Sequence, residues 1–388
     1  MHFAAILIAA ISLLIWLGLF FFNGHFWQIW IAGSDRDSVP PPPAWPSVRA
    51  IVPARNEAAS ITQTVSALAA QDYPGKFSIF VVDDHSEDGT GELARKAAAE
   101  SGAEQKVRVL SAPQLVPGWT GKLWALQSGI EVAQSEAADF FWFTDADIVH
   151  GPDTLRRLIS RAERDHLDLT SLMVLLQAQS FGEKLIIPPF LYFFLMLYPP
   201  RRIANAKSRK AGAAGGSMLV RGSALARIGG LAAIRSEVID DCSLARAVKR
   251  TGGRIWMGLT TGSVSLRRYS GFAELRDMIA RTAFTQLNYS ALQLFGTLIG
   301  LPLTFVAPIA LALSTNPRVW APALLAWCLM SASFLPTVVF YRLSPLWSVF
   351  LPIAALFYAY ATFLSAVRYW LGRGGQWKGR AQAPNPKG

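Results

Sequence analysis

Four uninterrupted apolar runs at the two ends of the chain limit its possible folds more than any other feature. Phe3 to Phe22 carries no charge over twenty residues, and Leu292 to Leu313, Val319 to Phe340 and Leu346 to Val367 are uncharged runs of similar length. A helix rises about 1.5 Å per residue, so about twenty residues cross a hydrocarbon core roughly 30 Å thick. Charged residues make up only 16% of the 388, against about 25% in soluble domains. Nearly all the acids lie between Arg49 and Arg281. The chain therefore reads as an N-terminal transmembrane anchor (1–24), a proline-rich linker (25–47), a folded α/β domain (48–285), C-terminal transmembrane helices (286–370) and a basic tail (371–388). The first run is longer than a signal-peptide core, lacks a basic start and is followed by no clean cleavage site, which points to a retained anchor.

The net charge of +11 is compatible with nucleic acid, but its placement is not. Arg201, Arg202, Lys207, Arg209 and Lys210, and then Arg368, Arg373, Lys378 and Arg380, flank apolar segments. There they suit anionic headgroups or pyrophosphate, so no nucleic-acid partner is expected. The two cysteines, Cys242 and Cys328, do not make a disulfide framework, which fits a cytoplasmic domain. Ile186 to Tyr198 is apolar and aromatic but interrupted by Pro188 and Pro189. It is too short to span and reads as an interfacial segment (186–200) lying on the bilayer.

Within the domain, strands are expected at 50–53, 77–82, 107–110 and 140–144, and helices at 59–70, 91–100 and 123–133. This alternation implies a parallel sheet covered on both faces, with ligands at the carboxyl ends of its strands. Acids stand at two such ends. Asp83 and Asp84 follow Val81-Val82, where they can accept hydrogen bonds from a base edge or ribose hydroxyls. The neighbouring Asp88 and Thr90 read equally as turn and cap formers. Asp145 and Asp147 follow Phe143-Thr144, and alternate carboxylates on extended chain can hold Mg²⁺ or Mn²⁺ through oxygen. A third pair, Asp240 and Asp241, precedes a helical stretch. It can cap that helix or supply a general base.

Taken together, Pro53-Ala54-Arg55-Asn56-Glu57, Val82-Asp83-Asp84-His85-Ser86, Gly121-Lys122, Asp145-Ala146-Asp147 and Asp240-Asp241 resemble the family 2 glycosyltransferases over residues 48–285. The resemblance implies a GT-A (Rossmann-like) nucleotide-sugar-binding domain, a divalent metal and inversion at the anomeric carbon. It implies uracil and ribose contacts at Asp83 and Asp84, with Pro53, Arg55 and Glu57 lining that pocket. Asp147 would be the main metal ligand, Asp145 would support metal and donor, and Asp241 would be the catalytic base. Lys122 would approach the donor phosphates, unless it is simply a solvated lysine after a turn. Many relatives carry a Gln/Arg-x-x-Arg-Trp motif. Here Arg281 keeps the arginine, which would bind the leaving diphosphate, while Met278 and Thr282 replace the first residue and the tryptophan. That departure argues against a processive polymerase.

A narrower likeness, in Pro117-Gly118-Trp119-Thr120-Gly121-Lys122, Ala146-Asp147-Ile148-Val149-His150 and Gly253-Arg254-Ile255-Trp256, is to the bacterial hopene-associated glycosyltransferases, relatives of ceramide glucosyltransferase. It implies a hopanoid or related membrane lipid as acceptor and a bacterial inner (cytoplasmic) membrane location. Transfer to a polyprenyl phosphate carrier would use the same acids. A transporter would need ionisable residues in its spans, and the three C-terminal runs have none; against an inactive scaffold stand the three intact acidic sites. One anchor and three C-terminal spans would leave the basic tail outside, against the positive-inside rule. Either one run is re-entrant or interfacial, with 292–313, rich in glycine and proline, the candidate, or the rule fails here.

Overall fold

The computed structural model describes residues 2–31, 33, 39–134, 138–374, 376–377 and 380–381. Parts of the linker, and Lys378 and Lys387 of the tail, lie outside the described residues.

An eight-stranded sheet forms the centre of the domain. Its strands are β1 (Val48–Ala54), β2 (Phe77–Asp83), β3 (Val107–Ser111), β4 (Phe140–Thr144), β5 (Ile148–His150), β6 (Leu169–Leu175), β7 (Ser217–Arg221) and β8 (Ile255–Ser265), in the order β3-β2-β1-β4-β7-β6-β8-β5. The half built from the alternating strands and helices, β3-β2-β1-β4, is parallel as expected. The other half is not: β7 runs antiparallel to both β4 and β6, and β5 antiparallel to β8. The expectation of an all-parallel sheet is thus corrected to a mixed one. The alternation stops at β4, and β7 arrives from an apolar helical excursion rather than from a βαβ crossover.

Both faces are covered, which is why these strands read as continuous apolar runs. In β1, Ala50 and Val52 pack on one side with Ile61, Val65 and Leu68, while Ile51 packs on the other with Leu123 and Leu126. A Cβ on Gly129 of helix Gly121–Ala133 would stand 2.6 Å from Ile51 Cγ2, so this helix lies on the sheet only because residue 129 has no side chain. Pro53 is tolerated in a central strand because β1 pairs with β4 only as far as Ile51↔Phe143.

The face bearing Ile51 continues into the core between the apolar helices, where Tyr192, Phe193, Phe305 and Phe334 are buried. Among the described residues, five helical segments are long and apolar enough to cross a membrane by length and composition: Phe3–Phe22, Phe181–Ala204, Ala291–Ala312, Pro317–Phe340 and Pro345–Trp370. The second is the segment read as interfacial. It forms helix Phe181–Leu197, opened by a Ser180/Glu183 capping box and continuous through both prolines. It cannot cross a bilayer once: strands β6 and β7 on either side of it pair through Leu169↔Val220, so the chain must leave and return on one side. The 292–313 run is unbroken helix, its prolines absorbed by a π-helical stretch Pro302–Val306.

The last apolar helix, Leu351–Trp370, meets the domain at both ends. Trp347, just before it, packs on Phe181 with ring centroids 5.6 Å apart, and Arg368 near its end pairs with Asp277 at 2.7 Å. A 20-residue helix held at both ends runs along the domain rather than away from it.

Candidate functional site

The carboxyl ends of β1 and β4, the start of β7 and the amino end of helix Asp240–Arg250 converge on one cavity of about 1060 Å³. Seven expected site residues line it: Pro53, Glu57, Lys122, Asp145, Asp147, Asp241 and Arg281. Arg55, Asp83 and Asp84 do not.

Those three stand beside the cavity, in a loop pair tied by backbone hydrogen bonds. Glu57 N–H donates to Thr90 Oγ1 (2.8 Å), Ala58 N–H to Asp88 Oδ2 (2.9 Å) and Asn56 N–H to Ser86 Oγ (2.9 Å). Asp88 and Thr90 therefore form the turn, as one reading of their sequence had it. Asp83 accepts from Ser86 N–H at 3.1 Å and remains partly exposed. Asp84 differs from expectation: it is fully buried, its carboxylate 3.8 Å from Arg55 Nη1. A charge at the end of a buried strand is stabilised only if paired, and Arg55 is the cation nearest it.

Lys122, in the first turn of its helix, is clamped rather than solvated. Its Nζ lies 2.9 Å from Asp145 Oδ1 and 3.2 Å from Asp240 Oδ2. Burial alone would lower its pKa, but these carboxylates hold it protonated well above the usual lysine value. Asp147 sits opposite, accepting from Ser265 Oγ at 3.2 Å. Burial, and then the like charges of Asp145 and Glu57, push its carboxyl up, a cost that a divalent cation removes. Asp145 and Asp147 offer only oxygen, which suits a hard cation. Among the described residues no three acids, histidines or cysteines stand together as a metal cluster. Two carboxylates completed by phosphate oxygens is an arrangement Mg²⁺ adopts.

Asp241 takes up the start of its helix, where the dipole favours an anion. Its Oδ2 accepts Gly215 N–H at 2.9 Å and its Oδ1 accepts Cys242 N–H at 2.6 Å. Burial first, and then neighbouring Asp240, push its carboxyl up to about 6, against the opposing pull of Lys122 and the two amides. A Cβ on Gly215 would stand 3.2 Å from Asp241 Oδ2, so the glycine admits this approach.

The cavity's far wall was legible in part: the sequence pointed to Arg281 and placed Arg373 among basic residues suited to headgroups or pyrophosphate. Phe190 and Phe194 from helix Phe181–Leu197, Met278 from helix Phe272–Ala280, and Leu364 and Val367 from the last apolar helix make it apolar. Arg267, Arg268, Arg281 and Arg373 ring it with cations. The basic pair Arg267-Arg268 directly after β8 was a further signal; which apolar side chains complete the wall depends on helices distant in sequence.

The family profile described as "Glycosyl transferase family 2" matches residues 50–229. The chain is 34% identical to "Glycosyltransferase AglE" of Haloferax volcanii over 125 residues, covering 32% of this chain and 38% of that one. It is 30% identical to an "N-acetylglucosaminyltransferase" of Mesorhizobium japonicum over 129 residues, covering 31% and 28%. The chain thus spans about a third of the length of these curated relatives. In fold it is similar to the mannosyltransferase PcManGT from Pyrobaculum calidifontis, solved with GDP-Man and Mn²⁺, at a TM-score of 0.54 and 18% identity, covering 90% of this chain and 99% of that one. The mixed sheet is GT-A-like, and the family 2 glycosyl transferase profile falls on its central strands, from β1 through β7.

Proposed function

We propose that this protein is an inverting, membrane-bound glycosyltransferase that moves a sugar from a nucleotide-sugar, a UDP-sugar by the sequence resemblance, to a lipid hydroxyl on the cytoplasmic side of a bacterial inner membrane. One observation carries the reading: a single cavity holds the acids of the Asp-x-Asp, the Asp241 carboxylate and a wall of apolar helices. A soluble acceptor needs no such wall, whereas a lipid enters sideways between helices Phe181–Leu197, Phe272–Ala280 and Leu351–Trp370. The narrower resemblance makes the acceptor a hopanoid or related lipid.

In this reading Asp83, Pro53, Arg55 and Glu57 seat the nucleoside, and Asp84 braces Arg55. Asp147 and Asp145 hold Mg²⁺ or Mn²⁺, which when bound neutralises charge on the departing diphosphate. Arg281 adds a cation on the same phosphates. Asp241 takes the hydroxyl proton as that oxygen attacks the anomeric carbon from the face opposite the nucleotide. Its raised pKa suits a base working near neutral pH.

A second reading, transfer to a polyprenyl phosphate carrier, is favoured by Arg267, Arg268 and Arg373, which line the cavity in addition to Arg281, Arg267 near enough to Asp147 to act on its charge. They are more cations than one diphosphate needs. A phosphate acceptor requires no general base, so the two readings part at Asp241.

The test is transfer of radiolabel from nucleotide-sugars to lipid extract by membranes containing the chain, with and without Mn²⁺ or Mg²⁺, beside Asp147→Ala. Metal-dependent label in a lipid, absent with the variant, is expected. No label with any donor, from abundant folded protein, overturns the proposal.

A further inference from the structure

One buried side chain outside the cavity connects its two halves. His150 ends β5 and is 3% exposed, its ring tilted against Trp142 at 4.6 Å between centroids. Its Nε2 lies 2.8 Å from Thr144 Oγ1 and its Nδ1 lies 2.9 Å from Ser263 Oγ, the residue opposite it on β8. Thr144 Oγ1 also lies 3.0 Å from the carbonyl oxygen of Gly216.

These contacts fix the direction of every proton. A carbonyl only accepts, so the Thr144 hydroxyl donates to Gly216. That hydroxyl has a single proton, so it must accept from His150 Nε2–H. Burial pushes the imidazole down to about 3, so it is neutral. Its unprotonated Nδ1 then accepts from the Ser263 hydroxyl. The result is a one-way relay, Ser263 to His150 to Thr144 to Gly216.

Its two ends reach opposite sides of the site. Thr144 directly precedes Asp145, and Ser263 lies two residues before Ser265, which donates to Asp147. Gly216 follows Gly215, whose N–H holds Asp241. Consecutive glycines have the widest backbone freedom of any residues, so this loop depends on outside bonds for its place.

We propose that His150 is a positioning residue which, as the Nε2-protonated tautomer, fixes the distance between the Asp145/Asp147 pair and Asp241 by holding the 214–217 loop through Thr144. The proposal rests on the functional reading above for its consequence, though not for its geometry.

The full chain in detergent is compared with His150→Phe, Thr144→Val, His150→Gln and Thr144→Ser. Glutamine can place an N–H near the Nε2 position, and serine retains the hydroxyl. Hydrogen exchange of the peptide covering residues 212–217 needs no substrate. It is expected to speed about tenfold in His150→Phe and Thr144→Val, and to return toward wild type in His150→Gln and Thr144→Ser. In the transfer assay the first two variants should lose kcat by about 10²-fold, as small misplacements do, with KM for the nucleotide-sugar within about threefold of wild type. The double variant should be no worse than either single one. Unchanged loop exchange, or exchange that the conservative variants do not restore, overturns the proposal whether or not the protein transfers sugar. Loss of thermal stability and donor binding in step with kcat overturns it too, in favour of a purely structural role. A wild type with the expected exchange pattern but no transfer would sink the functional reading and leave the relay standing.

Discussion

Lys122 Nζ stands 2.9 Å from Asp145 Oδ1 while also reaching Asp240 at 3.2 Å, so one cation joins the acid of the Asp-x-Asp to the acid pair that opens helix Asp240–Arg250. The two acids lie on separate elements and meet only through this lysine. Its charge also lowers the pKa of Asp241. Lys122→Met should therefore move the acid limb of the pH–rate profile upward by about 1 unit or more and at least roughly halve turnover at neutral pH, because a base shifted by about one unit is half protonated there. An unchanged limb would show that Lys122 serves the phosphates alone.

Asp241 gives a second pH prediction with a definite sign. Its folded pKa is raised from 3.8 to about 6, and the base is active only when deprotonated. Transfer should rise as pH passes upward through about 6 and fall below it. A raised carboxyl also makes the ionised form destabilising: that cost is absent below pH 3.8 and fully present above about 6. Asp241→Asn should thus melt higher than wild type at pH 7 and like it at pH 3.5, while losing transfer by about 10²–10⁴-fold. Nucleotide binding, measured by calorimetry, should persist. Near-normal transfer by this variant would remove Asp241 as base and favour the phosphate acceptor.

The arginine rim separates the two acceptor classes directly. Arg268→Gln with Arg373→Gln should weaken transfer to a lipid phosphate about tenfold or more, because charge-assisted contacts to phosphate are strong. Transfer to a neutral lipid alcohol should change little. KM for the acceptor, measured with each lipid in the same detergent, reads the difference.

The orientation of the tail can also be tested. Helices Ala291–Leu301 and Pro317–Phe340 lie in two runs that leave the domain and return: Ala323 packs with Ala9 near the amino terminus, and Tyr341 packs with Leu176 at the end of β6. The last helix then stays along the domain through the Arg368–Asp277 pair. A reporter fused to the carboxyl terminus should lie on the same side of the membrane as the domain, in keeping with the basic tail. The opposite side would mean that Leu351–Trp370 crosses. The conflict between three C-terminal spans and a basic tail disappears if the helix lying flat is this one, rather than the 292–313 run chosen for its glycines and prolines.

What the sequence determined by itself is local in kind. Continuous apolar runs fixed β1, β2 and β4, since a strand buried on both faces must be apolar at every position. Acids immediately after such runs lie at strand ends, so Asp83, Asp145 and Asp147 were legible, and so was the start of helix Asp240–Arg250. Tertiary structure decided everything that depends on which distant segments meet. Asp84 looked equivalent to Asp83 in sequence, but strand pleat turned its side chain inward to Arg55. Lys122 looked solvated or phosphate-bound, and two carboxylates from different helices and loops enclosed it. The sheet turned mixed after β4 because β7 enters from the helical excursion. The arginine rim, the apolar wall and the His150 relay draw on residues more than a hundred positions apart. Periodicity and spacing record what a residue does along its own element; they carry no record of the partner across a sheet or helix interface, and that partner fixes direction, burial and charge at this site.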